Sequence, residues 1–407
     1  MSRSKLSDWR ELRAALRNRE WRALYLAALL SQFGDQLARF VIALVIYART
    51  GSAAQSALAF AVSYLPYLIG AGVTGLGDRY PRRQVMIISD LVRAVLAALL
   101  AIHGLGTVAL LLLFFCVGLA EPPFEAARAA LAADLLDPDA YTGGHALQMS
   151  SLAVVSALGA LFAGVLVGAT GATAALLVNA GTFVMSAVLV TIRVSPRPAP
   201  PSHVANPSVG AGFGVVWASP PLRTYLFLAA SCAALTVPVD ALAVVIASRN
   251  GRGAVWASVL LAAPLVGTAV SNLVVTRLNR DTRLGLLAPI ACLSAAPVAL
   301  FVFQPGMYLA VVLALLTGLF QGYQILANQG FVLSVANEDR SKAFGAASAT
   351  LMAGQGIASA LAGVLAEYVE PERLVGLSGL LALACVWIAS HMLRAIRPAA
   401  AGALVHA

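Results

Sequence analysis

Gly77-Asp78-Arg79-Tyr80-Pro81-Arg82-Arg83 puts one acid and three arginines into a short loop of a chain in which only 11% of residues are charged. On both sides lie apolar stretches of about twenty residues, the length that carries a helix across a bilayer core of about 30 Å. A loop of this kind, pinched between two spanning helices, can clamp their ends by charge pairing and release them again.

The rest of the chain fits that setting. Of its 407 residues, 60% are hydrophobic, whereas ordinary soluble domains are about 45–50% apolar and about 25% charged. Twelve apolar segments follow one another, at residues 24–47, 56–76, 85–102, 107–127, 146–168, 171–192, 224–247, 255–276, 284–303, 307–329, 345–367 and 374–393. In hydrocarbon every backbone polar group must be satisfied internally, and the alternation of barrel strands is missing, so each span reads as a helix. The predicted class is an all-α polytopic membrane protein of twelve transmembrane helices in two pseudo-symmetric six-helix bundles.

Basic residues collect in the short loops of the cytoplasmic side. With the amino terminus inside, the cytoplasmic segments hold 21 of the 27 Lys and Arg, and the outer loops only Arg49, Arg249, Arg252 and Arg373. Both termini are therefore expected in the cytoplasm. The asymmetry accounts for the net charge of +9 without a nucleic-acid partner. The first 22 residues are charged and precede a span long enough to stay in the membrane, so no cleavable signal is expected. Cys116, Cys232, Cys292 and Cys385 fall singly inside apolar spans with no metal or redox spacing.

The stretch from Ser195 to Leu222, beginning Ser-Pro-Arg-Pro-Ala-Pro-Pro-Ser, resists regular structure and divides the spans six and six. The expected organisation is a cytoplasmic segment at 1–22, a first bundle at 23–193, a linker at 194–222, a second bundle at 223–397 and a tail at 398–407. Short repeats support a duplication: Ala163-Gly164-Val165-Leu166 recurs 199 residues on as Ala362-Gly363-Val364-Leu365. Leu68-Ile69-Gly70 recurs loosely 197 residues on as Leu265-Val266-Gly267. Duplicated halves suit alternating access, in which two bundles rock about a site near the bilayer midplane.

At this point the chain resembles the major facilitator superfamily over nearly its whole length. That family carries G-x-L-A-D-R-x-G-R-R after its second span, and Thr74-Gly75-Leu76-Gly77-Asp78-Arg79-Tyr80-Pro81-Arg82-Arg83 keeps the acid, the first arginine and the final pair, with Thr74 and Pro81 in place of two glycines. Ser31-Gln32-Phe33-Gly34-Asp35-Gln36, Ser89-Asp90-Leu91-Val92-Arg93-Ala94 and Phe124-Glu125-Ala126-Ala127-Arg128 are similar to the branch of enterobactin exporters and macrolide efflux pumps. Gly159-Ala160-Leu161-Phe162-Ala163-Gly164 lacks the proline of the antiporter signature. The resemblance implies a major facilitator fold and secondary transport.

Several residues are candidates to carry the mechanism. Asp35 lies near the middle of the first span, where an ionised carboxylate costs about 3 kcal/mol even on lenient scales. Arg39, at the i+4 position, is its expected partner. Asp240, beside Pro238 in the seventh span, is the corresponding candidate of the second half, and Glu121, before Pro122 and Pro123, reaches inward from the fourth. Gln32, Gln36, Gln321, Gln324 and Asn328 are expected to line a polar cavity, the last three with Gln329 at helical spacing on one face; amides here either bind a polar substrate or join helices. Asp78, Arg79, Arg82, Arg83, Asp90, Arg93, Glu125 and Arg128 are expected to form one cytoplasmic gate, with Arg82 paired to Glu125. For Asp35 the competing reading is a static salt bridge holding the first span against its neighbours, and for Asp240 a cavity-lining polar residue or a position close to the outer water.

The expectation is a monomeric exporter in a bacterial-type inner membrane, moving a small amphipathic compound outward in exchange for protons. No nucleotide-binding, zinc or hydrolase constellation is present in the sequence, so neither an enzyme activity nor a cofactor or metal is expected. A facilitator or importer of the same fold is the alternative transport reading. A receptor or lipid-binding scaffold without turnover is the alternative from another class.

Overall fold

The structure is a computed structural model, and it describes residues 13–69, 80–198, 209–275, 280–336 and 339–403. Within these residues the regular structure is helical: α1 Arg19–Thr50, α2 Ala53–Ile69, α3 Arg82–Leu100, α4 Thr107–Leu119, α5 Glu121–Leu135, α6 Pro138–Thr170 and α7 Ala172–Arg193. There follow α8 Val209–Ala218, α9 Pro220–Thr236, α10 Pro238–Ala241, α11 Ala243–Arg249, α12 Ala254–Val275 and α13 Arg280–Ala299. After a 3₁₀ turn at Leu300–Phe303 come α14 Met307–Leu319, α15 Tyr323–Leu333, α16 Arg340–Leu365 and α17 Pro371–Ala403.

Ten candidate membrane spans are present among the described residues, against the twelve expected. The two expected spans outside this set have physical reasons. The described part of α2 is 17 residues and stops where residues 70–79 begin. The 19 residues of α3 carry Arg82, Arg83, Asp90 and Arg93, which lower its apolar content.

The helices are inside out relative to a soluble protein. In α3 the buried side holds Ser89, Asp90 and Arg93 beside Met86, Ala94 and Ala97, while Ile88, Leu91, Val92 and Val95 are exposed. Apolar side chains on the outside and charge on the inside are stable when the surrounding solvent is lipid. The chain is a multi-pass membrane protein.

By their internal contacts the helices form two compact units, one of Met1–Arg49 and Ile69–Ala205, the other of Thr50–Leu68 and Asn206–Ala407. This division follows the linker except at one helix: α2 belongs by contact to the second unit although it precedes the linker in sequence. In the first unit α3 packs along α7 and against α5 and α4, and Leu24, Met86, Phe124, Leu131 and Val190 form a common apolar core.

In the second unit α12 and α14 touch backbone to backbone. A Cβ built on Gly318 would stand 2.0 Å from the Pro264 carbonyl oxygen, and one on Gly267 would stand 2.4 Å from that of Leu315. Small residues at such a crossing give van der Waals contact where lipid offers no hydrophobic gain for helix pairing. The remaining core brings Leu228, Cys232, Tyr323, Leu326 and Val386 together from α9, α15 and α17. The connection expected to resist regular structure instead contains α8, which packs on α16. Beyond the proline-rich stretch, the run Val209–Ala218 is helical despite three glycines, and one of them, Gly212, lets it lie against the Lys342 carbonyl of α16, where a Cβ would collide.

Three spans are interrupted. The fourth breaks at Ala120 between α4 and α5, the seventh between Val237 and Leu242, and the tenth at Phe320–Gly322. The fourth and tenth breaks match in detail: Ala120 donates back to Val117 at 3.4 Å, and Phe320, 200 residues on, donates back to Thr317 at 3.3 Å. Each is a tightened turn that ends one helix before the next begins. Pro122 and Pro123 start α5, where their missing N–H groups cost nothing.

Candidate functional site

Three helices of the first unit turn polar faces toward one another. Ser31, Gly34 and Asp35 share a face of α1, Asp90 and Arg93 a face of α3, and Asn179, Thr182, Phe183 and Ser186 a face of α7, all at three- and four-residue spacings. Arg93 donates to both carboxylate oxygens of Asp35 at 2.5 Å. The Arg93 side chain is 1% exposed and that of Asp35 14%. The guanidinium carbon lies 4.2 Å from the centre of the Phe183 ring, a cation–π contact that adds attraction without a further charge. On the other side of the cluster, Ser31 donates to Asp90 Oδ1 at 3.3 Å, and Asp90 is fully buried.

Gly34 makes this approach possible. A Cβ there would stand 2.3 Å from both Asn179 Oδ1 and Thr182 Oγ1, so any side chain larger than hydrogen would push α7 away from α1.

The sequence assigned partners by distance along one helix, and the structure revises those assignments. Asp35 is met by Arg93 from another helix, in place of the pairing expected from Arg39 one turn along α1. Asp90 and Arg93, expected at a cytoplasmic gate, lie inside the bundle, because α3 runs about 12 Å from Arg82 before reaching Asp90 at 1.5 Å per residue. Glu121, at the break of the fourth span, is close enough to add its charge to the field at Arg93.

Asp78 and Arg79 lie outside the described residues. Of the remaining gate candidates, Arg82 pairs with Asp134 and also reaches the Ala130 carbonyl at 3.4 Å. Glu125, its expected partner, instead holds Arg128 one turn along α5 at 2.5 Å. The reason is position: the start of α3 meets the last turn of α5, which carries Asp134, about 13 Å beyond Glu125 at helical rise. Arg128 also donates to Gln148 Oε1 of α6 at 2.7 Å. Arg83 donates to the Thr191 carbonyl at 2.7 Å, satisfying an otherwise open group at the end of α7.

Gln32 and Gln36 take packing roles within the first unit. Gln32 donates to Ser156 of α6 at 2.8 Å, and Gln36 is buried where Gly159 of α6 would bring a Cβ within 3.1 Å of it.

The second unit contains a cavity of about 200 Å³ at the interrupted seventh and tenth spans. Its polar lining comes from Asp240, Gln321, Gln324 and Gln355 and from the threonines Thr236, Thr268 and Thr317. Gln324 donates to Gln321 at 3.0 Å, which fixes the orientation of both amides. Asn328 is not part of this lining; it lies on an exposed face of α15. Thr236, Thr268, Thr317 and Gln355 were not anticipated. Gln355 had a signal, a lone amide between Gly354 and Gly356 in an apolar span; the threonines had none, since Thr236 and Thr268 bond their own helices' carbonyls.

Among the described residues no cluster of three or more His, Cys, Asp or Glu side chains is arranged to hold a metal ion.

Residues 24–304 match the family model described as Major Facilitator Superfamily. Among solved structures, one described as giving structural insights into substrate recognition in proton dependent oligopeptide transporters superposes with a TM-score of 0.71 at 14% identity, covering 93% of this chain and 99% of its own. A second, a bacterial homolog to the human lysosomal transporter Spinster in an inward-facing and unoccupied conformation, superposes with a TM-score of 0.68 at 13% identity, covering 92% of this chain and 97% of its own. At such identities the likeness is one of fold. No curated protein sequence matches the chain.

Proposed function

The chain belongs to the major facilitator superfamily, and from that premise we propose that it is a secondary active transporter that exports a small amphipathic compound by alternating access in exchange for protons. The observation that carries the reading is the ion pair of Asp35 with Arg93, buried between α1 and α3. A charge pair inside a membrane bundle costs desolvation that a purely structural contact between apolar helices does not. Its retention fits a part that changes partners during a cycle.

Asp35 is the proposed coupling group. Its partial exposure gives a proton access, and its protonation would free Arg93 from α1. The cavity beside Asp240 is the proposed substrate contact of the second half, since spans interrupted at corresponding positions of two repeats mark binding sites in transporters. Seven hydrogen-bonding side chains within an otherwise apolar wall suit a substrate with polar groups on an apolar body. The proposed setting is a bacterial-type inner membrane with both termini in the cytoplasm and Asp78, Arg79, Arg82 and Arg83 at the inner gate.

Transport in sealed vesicles under an imposed pH gradient tests this reading, with siderophore-like, macrolide and lysolipid compounds as candidate cargo. Parent protein is expected to move at least one class against its gradient while the pH difference lasts. Asp35→Asn is expected to abolish the response to the gradient, and a variant whose transport follows the gradient as the parent's does would overturn the coupling assignment.

A further inference from the structure

Around Arg93 the charges do not balance. Three carboxylates, Asp35 on α1, Asp90 on α3 and Glu121 on α5, act on this guanidinium. Counting Arg39 as well, which stands one turn beyond Asp35 on α1, leaves three acids against two guanidinium groups. The other packed helices do not make up the difference: α7 carries no titratable residue before Arg193, α4 carries no charge, and Arg128 of α5 is held by Glu125. A surplus anion in a low-dielectric interior is costly unless a cation or a proton joins it.

The hydrogen bonds show where the surplus sits. Both oxygens of Asp35 are occupied by Arg93. Asp90 is 0% exposed, its Oδ1 accepts from Ser31, and its Oδ2 has no hydrogen-bond partner. Ser186 Oγ, equally buried, faces the same carboxyl. A fully buried carboxyl oxygen that no charged donor reaches, with a hydroxyl beside it, is where a proton relieves the surplus charge at least cost.

We infer that Asp90 is a proton-binding site, with the acid's Oδ2–H donating to Ser186 Oγ and the proton exchanging as Asp90–COOH ⇌ Asp90–COO⁻ + H⁺. While the proton is bound, Arg93 belongs to Asp35 alone and ties α3 to α1. When it leaves, Asp90 becomes a second counterion one turn away on the same helix, and the tie to α1 weakens. The site therefore converts proton occupancy into the strength of a helix contact. This goes beyond the coupling role of Asp35, which the transport reading supplies, and it holds or fails separately.

Infrared difference spectroscopy of the full chain in detergent, without substrate or gradient, tests it. At neutral pH the parent is expected to show a carboxylic-acid C=O band that shifts in D₂O, and Asp90→Asn, which is isosteric and neutral, is expected to lose it. A band that persists in Asp90→Asn overturns the inference. Ser186→Ala removes the acceptor and is expected to shift the band, which keeps the test open should Asp90→Asn not fold; an unmoved band in Ser186→Ala counts against the site. Sodium is the rival occupant, so the same spectra are taken with sodium chloride replacing choline chloride. Loss of the band on adding sodium, in the parent and not in Asp90→Asn, would overturn the inference in favour of a metal cation. Because no transport is measured, failure of the exporter reading leaves this result unaffected, and the reverse.

Discussion

Arg93 reaches from α3 to α1 and places one nitrogen 2.5 Å from each carboxylate oxygen of Asp35. The two ends of this pair are not equivalent. Arg93 is 1% exposed, and Asp35, at 14%, touches the outside of the cluster. Removing the acid leaves the guanidinium to Asp90 and Glu121, whereas removing the base leaves three carboxylates in the interior with one cation fewer.

That asymmetry gives the first prediction. Arg93→Leu is expected to lower unfolding free energy by about 3 kcal/mol, the usual cost of breaking a buried pair from one side, and Asp35→Asn by clearly less. The double variant is expected to recover part of the Arg93→Leu loss, so that the two changes are not additive. Reversible unfolding in detergent of the parent and three variants reads this directly; additive losses would show that the pair is not a unit.

Gly34 provides a second. Its missing side chain lets α1 approach Asn179 and Thr182 on α7, and Asn179 is fully buried, so its amide cannot swing away into open space. Gly34→Ala is expected to cost about 1–3 kcal/mol, as overpacking of a tight core does. Asn179→Ala in the same chain is expected to restore part of the loss, the remainder staying with Thr182, whose hydroxyl the new Cβ meets just as closely. Thermal unfolding midpoints of the single and double variants measure both effects.

The sequence disclosed the helical, apolar character of the chain and the existence of buried charges, because hydropathy and charge are local properties of a segment. Partners were less legible. Asp35 with Arg39 and Arg82 with Glu125 were natural pairings on spacing or proximity in sequence, yet Arg93 and Asp134 hold these groups through contacts between helices, which no periodicity encodes. Gly77, Asp78 and Arg79 of the charged loop lie outside the described residues. The membership of α2 in the second unit was also hidden, since nothing in its composition distinguishes a helix that packs on its sequence neighbours from one that packs across the linker. Breaks in the spans were half visible: Pro122, Pro123 and Pro238 announce two of them, and only glycines flank the third.

A third prediction concerns pH at the start of α2. Glu367, just beyond α16, accepts from the Ala54 backbone N–H at 2.9 Å and from the Ser52 hydroxyl at 2.7 Å. The Ala54 bond, then the Ser52 bond, hold its carboxyl below its ordinary value. A lowered acid contributes its stabilisation above the ordinary glutamate value of about 4.3 and loses it as pH falls through the lower folded value. Glu367→Ala is expected to speed exchange of the Ala54 amide about fivefold at neutral pH, the factor matching about 1 kcal/mol of helix capping. In the parent the protection should decline on acidification below about pH 4, after correction for intrinsic exchange, and Glu367→Ala should show no such decline. Hydrogen exchange followed by mass spectrometry on the peptide containing Ala54 decides it.

The last prediction separates binding from folding in the second unit. The cavity of about 200 Å³ has Asp240 and Gln355 on its wall; both side chains are only partly buried, so shortening or neutralising them exposes no core. Their substitution should leave stability nearly unchanged, unlike Gly318→Ala, which would force α12 from α14 where a Cβ meets the Pro264 carbonyl. If cargo occupies this cavity, loss of a hydrogen bond to a charged group is worth about 1.5–3 kcal/mol, so Asp240→Asn is expected to weaken cargo affinity at least about tenfold. Gln355→Ala, removing a neutral partner, should weaken it by a smaller factor. Binding of whichever compound the vesicle assay identifies, measured calorimetrically beside unfolding midpoints for all three variants, tests the assignment. Unchanged affinity in Asp240→Asn and Gln355→Ala would place the cargo elsewhere, whereas lost affinity accompanied by a lowered midpoint would make the cavity wall a structural element of the bundle.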